Sequence, residues 1–340
     1  MRPILRRLSA LALILTLTPL SCLREPPRPE SVKQQLGLRR LAVPPARRLG
    51  ALGPFRIEGA WHLTSPFSGF GSYSAMVPLP RGQLLALSDR GGVMTFSPPG
   101  AAQEGVLLTT IRYTRRRSRD LDAESATRDP ATGRIWVGTE SSNGISRHDP
   151  NLRVEARAWP PAMKAWDRNE GPEAMTRLSD GRFVVLAEGF DGVLENRLHQ
   201  AVLFPGDPTR NGGKGARFRF SGPEGFKPTD MATLPDGRVL VLFRRLVPRL
   251  PMFEGRIAVA DPAELRPGKV WTAREIARLE PPLPTDNYEA MTVVSRGDGM
   301  VTVWLMSDDN VSVLQRTLLL KLALDPAKLR PARAKVPPAR

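Results

Sequence analysis

The chain has 340 residues and a formal net charge of +16. That charge sits at the ends: residues 1–48 carry ten Lys/Arg against two acids and residues 325–340 carry five against one, which leaves the body at +4. A basic groove lined with stacking aromatics is therefore not expected, which argues against nucleic acid as a partner. The single cysteine excludes an internal disulfide framework.

Residues 1–7 are basic and residues 8–20 mostly apolar, the pattern of an export signal. The apolar run is short of the roughly 20 residues that span a bilayer. Cys22 follows at once, where a bacterial lipoprotein carries its lipidated cysteine, although Pro19 and Leu20 depart from the usual order of that motif. The expectation is an exported, periplasmic or cell-envelope protein, with Cys22 as the candidate lipidation site and membrane attachment. Residues 1–21 are then the signal and residues 22–49, rich in Pro and Arg, a tether. Residues 50–324 are the folded body, and residues 325–340 a basic flexible tail.

Within the body, apolar runs of about four to seven residues alternate with Gly, Pro, Asp and Asn. Only residues 273–279 read as a turn or two of helix, so the fold class is all-β. One sentence recurs five times: a strand, a tight turn containing Gly, and a second apolar strand. The copies are residues 74–90 (SAMVPLPRGQLLALSDR), 122–140 (DAESATRDPATGRIWVGTE), 169–188 (NEGPEAMTRLSDGRFVVLAE), 229–245 (TDMATLPDGRVLVLFRR) and 288–309 (YEAMTVVSRGDGMVTVWLMSDD). Starts about 50 to 60 residues apart suit a four-stranded blade with generous loops. The architecture expected is a β-propeller of five blades, or six if the termini pair into a divergent one. A two-domain β-sandwich is the structural alternative.

Folding each hairpin about its turn brings the start of one strand beside the end of the next. Charged residues then share one end of every blade. Glu124, Glu173, Asp230 and Glu289 are placed around one mouth of the channel, with Glu140 and Glu188 on the returning strands. Clustered carboxylates need a cation, arginines or shared protons, and an all-oxygen set suits Ca²⁺ or Mg²⁺ rather than zinc. His62, His148 and His199 show no zinc-ligand spacing. The candidate metal ligands are Glu124, Glu140, Glu173, Asp230 and Glu289, with Ca²⁺ as the cofactor. Arg90, Asn169 and Arg245 are candidates to hold an anionic group of a substrate. The run 115–119 (RRRSR) reads as a solvated loop. Trp136, Trp159, Trp166 and Trp304 read as packing residues, and no nucleophile elbow is present. Ordinary salt bridges at the blade ends are the structural alternative to a metal site.

The motifs DAES (122–125), GTES (138–141), NEGPEAM (169–175) and DNYEAM (286–291) resemble the phytase-like domain, also described as having esterase-like activity. The resemblance spans roughly residues 53–324. It implies an exported propeller-like fold and a hydrolase of phosphate or carboxylic esters. By the same resemblance, Glu124, Glu140, Glu173 and Glu289 are metal-binding positions, with Asp122 and Asn169 beside them. Asp230 and Ser74 replace the family's glutamate in two copies. The functional expectation is a monomeric, divalent-metal-dependent hydrolase of a small anionic or ester substrate. The competing expectations are a non-catalytic binding propeller with a structural cation or salt-bridged rim, and a lactone hydrolase with one central Ca²⁺.

Overall fold

The computed structural model describes residues 24–26, 29–101, 105–110, 122–167, 169–192 and 195–329. Cys22, the signal segment and the 115–119 run lie outside the described residues. The N-terminal strands are β1 (Gly37–Arg40) and β2 (Phe55–Thr64). Blade one follows with β3 (Tyr73–Pro78), β4 (Leu84–Ser88), β5 (Gly92–Phe96) and β6 (Val106–Thr110). Blade two is β7 (Ala123–Arg128), β8 (Ile135–Thr139), β9 (Gly144–His148) and β10 (Val154–Ala158). Blade three is β11 (Pro172–Arg177), β12 (Phe183–Phe190), β13 (Leu198–Phe204) and β14 (Ala216–Ser221). Blade four comprises β15 (Lys227–Thr233), β16 (Val239–Leu246), β17 (Phe253–Ala260) and β19 (Arg274–Leu279). Between its last two strands, β18 (Val270–Thr272) crosses to run parallel with β14 of blade three. Blade five is β20 (Asn287–Ser295), β21 (Val301–Asp308) and β22 (Leu318–Leu324).

Five antiparallel sheets thus form a five-bladed β-propeller. The innermost strands β3, β7, β11, β15 and β20 touch in succession, and β20 returns to β3. The termini close the ring, because β2 pairs with β22 as the fourth strand of blade five, with Phe55 opposite Leu324. No sixth blade is needed. Residues 273–279, read from sequence as helical, lie almost wholly in β19, whose edge pairs with β17. Tertiary pairing there overrides a weak local preference.

The described parts of the presumed tether and tail are packed onto the body. In the presumed tether, β1 adds a fifth strand to blade five by pairing with β2, and Leu49 is buried. In the presumed tail, Leu329 is buried and Arg238 donates to the carbonyls of Pro326 and Leu329. Once a Leu or a strand edge finds a partner, proline and arginine around it do not keep the chain loose.

The second strands of the blades are near-continuous apolar runs because each is covered on both faces. In β12, FVVLAEGF, every residue but the last is buried. One apolar cluster fills each blade interface. Leu240, Leu242 and Ile257 of blade four meet Leu305, Leu320 and Leu322 of blade five, and Trp61 and Trp304 of blade five meet Met76 and Met94 of blade one. Trp136, Trp166 and Trp304 pack as expected, but Trp159 is 63% exposed. Gly181 and Gly237 turn two of the hairpins with φ of 89°, a conformation costly for other residues. Among the described residues no helix is long and apolar enough to cross a membrane.

Candidate metal centre

Each innermost strand carries a bulge at its start, and the five bulges build the site. The register shifts between Tyr73 and Ala75, Ala123 and Ser125, Pro172 and Ala174, Pro228 and Asp230, and Tyr288 and Ala290. The extra residues are Ser74, Glu124, Glu173, Thr229 and Glu289, and all five are buried. A bulge frees one residue from the ladder and re-aims its side chain. Here it does so at the same mouth five times.

That register corrects the sequence reading at blade four. The position equivalent to the glutamates is Thr229, not Asp230. Asp230 is fully buried and accepts from Met231 N (2.7 Å) and Met291 N (2.6 Å). Burial pushes its carboxyl well up, and the backbone N–H groups of Met291 and Met231 act against that. It ties the inner strands of blades four and five together instead of joining the cluster. The signal was present in the sequence: aligned on Pro-x-x-Met, PEAM (172–175) sets Glu173 against Thr229 of PTDM (228–231). A slip of one residue in a strand sends a side chain to the opposite face.

A second set comes from the ends of the returning strands. Asp89, Glu140, Glu188, Arg244 and Asp308 sit opposite Ser72, Asp122, Gly171, Lys227 and Asn287. Gly171 must lack a side chain, since a Cβ there would come within 2.8 Å of the Glu140 backbone. Blade four is the exception: it alone has a cation, Arg244, where the other four returning strands carry an acid, and at the bulge it has Thr229, as blade one has Ser74, where the other three carry Glu. Arg244 donates to Glu188 (2.8 Å) and lies 3.1 Å from Glu289. Lys227 pairs with Glu170 (3.0 Å) and Glu188 (3.1 Å).

These two cations compensate the acids beside them, whereas among the described residues no ion pair reaches Asp122, Glu124 or Glu140 of blade two. Burial, then the charges of Glu173, Glu289, Asp89 and Glu140, pushes the Glu124 carboxyl well up. Burial, then Asp122 and Glu188, pushes Glu140 up to about 7. Asp89 rises to about 7 by burial and Glu289, despite Arg90 beside it. Glu173 and Asp308 are also pushed well up by burial and neighbouring acids. Glu289 is raised by burial and held back by Arg244.

The donor set on blade two fits a hard divalent cation. Carboxylate oxygens of Asp122, Glu124 and Glu140 lie within 4.8 Å of one another. The amide oxygen of Asn143, next to Glu140, is buried without a hydrogen-bond partner, and so is that of Asn287, whose Nδ2 donates to Glu289 (2.8 Å). Oxygen-only ligands and unmatched buried acceptors are what Ca²⁺ or Mg²⁺ satisfies.

The expected anion-holding residues fare unequally. Arg90 is exposed beside Asp89, on the wall of a cavity of about 680 Å³ shared with Arg24, Ser72, Asn310 and Val311. Ser72, Asn310 and Val311 have φ of 54°, 48° and 51°, a strained conformation for β-branched Val311. Asp309 holds them, accepting from Ser72 N, Val311 N and Thr317 Oγ1. Arg245 points away from the cluster, pairs with Glu254 (2.8 Å) and lies 4.4 Å over the Phe226 ring. Strand alternation gives the inward place to Arg244. Asn169 is exposed in a turn, its N–H bonded to Asp167 (3.0 Å). The histidines are not ligands of this site: His148 bonds Ser146 and Leu152, and His199 bonds the carbonyls of Glu188 and Gly189.

Fold and site together define a five-bladed propeller with an acidic, partly arginine-compensated channel mouth. The chain belongs to the phytase-like family described as "Esterase-like activity of phytase", whose model matches residues 68–311. No curated protein matches the sequence. Among solved structures it is similar to glutaminyl cyclase from Myxococcus xanthus, at 10% identity over 79% of this chain and 97% of that one, with a TM-score of 0.46. It is also similar to PQQ-bound aldose sugar dehydrogenase from Streptomyces coelicolor, at 11% identity over 86% and 100%, with a TM-score of 0.43. Hydrazine synthase from Kuenenia stuttgartiensis matches at 14% identity and a TM-score of 0.38 over 71% of this chain, which spans 57% of that one. Likenesses this distant do not bear on chemistry.

Proposed function

We propose that the protein is an exported hydrolase of phosphate or other esters, dependent on a divalent cation, Ca²⁺, at the acidic mouth. The observation that carries this reading is the clustered acid set on blade two, Asp122, Glu124 and Glu140 with Glu173 beside them, which has no ion pair among the described residues, at a mouth where Glu188 and Glu289 are already met by Arg244 and Lys227. A bound divalent cation supplies Lewis-acid polarisation of the ester and a water acidified into the neutral range. The chain's own part is to hold the oxygen ligands in fixed positions, to exclude bulk water by burial, and to offer the Arg90 guanidinium to an anionic group in the adjacent cavity. The protein acts as a monomer on a small substrate, without nucleic acid. Lipidated Cys22 is its attachment to the envelope.

The test is turnover of p-nitrophenyl phosphate and p-nitrophenyl acetate with Ca²⁺ and with chelator. Activity that requires the metal and is lost in Glu173→Gln supports the proposal; no turnover of either ester, or indifference to Glu173→Gln, refutes it. A second reading, a binding propeller without catalysis, is favoured by the ion pairs of Arg244 and Lys227 with Glu188, which tie part of the rim together. Stabilisation by Ca²⁺ without turnover supports that reading.

A further inference from the structure

The channel has a second mouth, and its chemistry is the reverse of the first. Where the innermost strands end, a cavity of about 350 Å³ is lined by Arg128 and Arg177 with Thr127, Thr176, Thr233 and Thr292. Among the described residues that line it there is no carboxylate. The two arginines stand at equivalent places on β7 and β11, each the last residue of its strand and each preceded by a threonine.

The internal bonding of this mouth leaves its strongest donors unused. Thr127 accepts from Arg177 N (3.1 Å), Thr233 donates to the Arg177 carbonyl (3.0 Å), and Thr176 and Thr233 share a bond of 3.0 Å. The threonines are thereby fixed in position. Neither guanidinium makes a hydrogen bond to the protein among the described residues. The one ion pair there, Arg177 to Asp129, is 3.9 Å long. Both arginines act on the Asp129 carboxyl, which is occupied by Ala131 N and Thr132 Oγ1. One carboxylate shared by two arginines leaves a net positive charge over the cavity. A guanidinium carries five donors in a planar fork matched to oxyanions.

We propose that this far mouth is a separate binding site for a small oxyanion of phosphate or carboxylate chemistry, held between Arg128 and Arg177. The site does not depend on catalysis or on metal at the acidic mouth. It gives the channel one end that takes cations and another that takes anions.

The probe is inorganic phosphate, with sulfate and acetate in parallel, titrated calorimetrically into the full chain in excess chelator. Saturable binding is expected, weaker by about tenfold or more for each arginine replaced, as loss of a charge-assisted hydrogen bond implies. Arg128→Gln and Arg177→Gln should lower affinity, and Glu124→Gln at the other mouth should leave it unchanged. Because neither guanidinium hydrogen-bonds the protein and the partly exposed ion pair of Arg177 with Asp129 is long and so worth little, the single variants should melt close to wild type without phosphate, so lost binding is not lost folding. Absence of binding, equal binding by the arginine variants, or loss in Glu124→Gln overturns the proposal. Acetate binding as tightly as phosphate assigns the site to carboxylates; phosphate and sulfate binding alone assign it to tetrahedral oxyanions.

Discussion

Replacing Glu124 by Gln should stabilise the metal-free protein, which is the reverse of what most buried substitutions do. The amide keeps the shape of the side chain and removes one charge from a set in which Glu173, Glu289, Asp89 and Glu140 also raise the carboxyl. Two ionised carboxylates within 4.8 Å of each other, as Asp122, Glu124 and Glu140 are, repel by roughly 3 kcal/mol or more at an effective dielectric of about 20. Partial protonation relieves some of this, so the expected net gain is about 1–3 kcal/mol near pH 8. That is a rise of several degrees at about 2–4 °C per kcal/mol for a domain of this size. The gain should vanish below about pH 4, where the wild-type carboxyls are protonated as well. With Ca²⁺ at about a hundred times its Kd the wild type should gain about 2.7 kcal/mol and the variant much less, so the two melting temperatures cross as metal is added. Differential scanning calorimetry in chelator and then in Ca²⁺ reads both effects. A variant that melts lower than wild type without metal, and responds to Ca²⁺ as wild type does, refutes the assignment of Glu124 to a cation site.

The remaining expectations concern pH and the neighbouring side chains. Asp89 and Glu140 titrate at about 7 in the folded protein against about 4 unfolded; their contribution is therefore present below about pH 4 and lost as pH rises through 7. Melting temperature in chelator should fall between pH 4.5 and 8, and Ca²⁺ should flatten that slope. Asp230→Ala strands two buried N–H groups, of Met231 and Met291; it should cost about 2–5 kcal/mol in urea unfolding while leaving the metal response intact. Arg244→Met removes the partner of Glu188 and Glu289 and should cost about 3–5 kcal/mol without metal. Arg245→Gln, its pair with Glu254 half exposed, should cost under about 1 kcal/mol and spare any hydrolytic activity.

The five copies and their Gly-centred turns determined the class and the unit of repetition, because strand length, apolar alternation and turn chemistry are local properties. They also placed Glu124, Glu140, Glu173 and Glu289 at one end of their hairpins, since an antiparallel turn fixes which residues return beside which. Blade number was decided by the ring, where β2 from the N-terminus completes blade five. The division of labour within the site was decided by register. A bulge of one residue seats Thr229 and withdraws Asp230, and alternation along β16 seats Arg244 and turns Arg245 outward. Neither choice is fixed by composition, although the Pro-x-x-Met spacing already aligns Thr229 with Glu173. Nor is the uneven compensation that leaves blade two acidic, because Arg244 and Lys227 reach Glu188 and Glu289 only once blades three, four and five stand side by side.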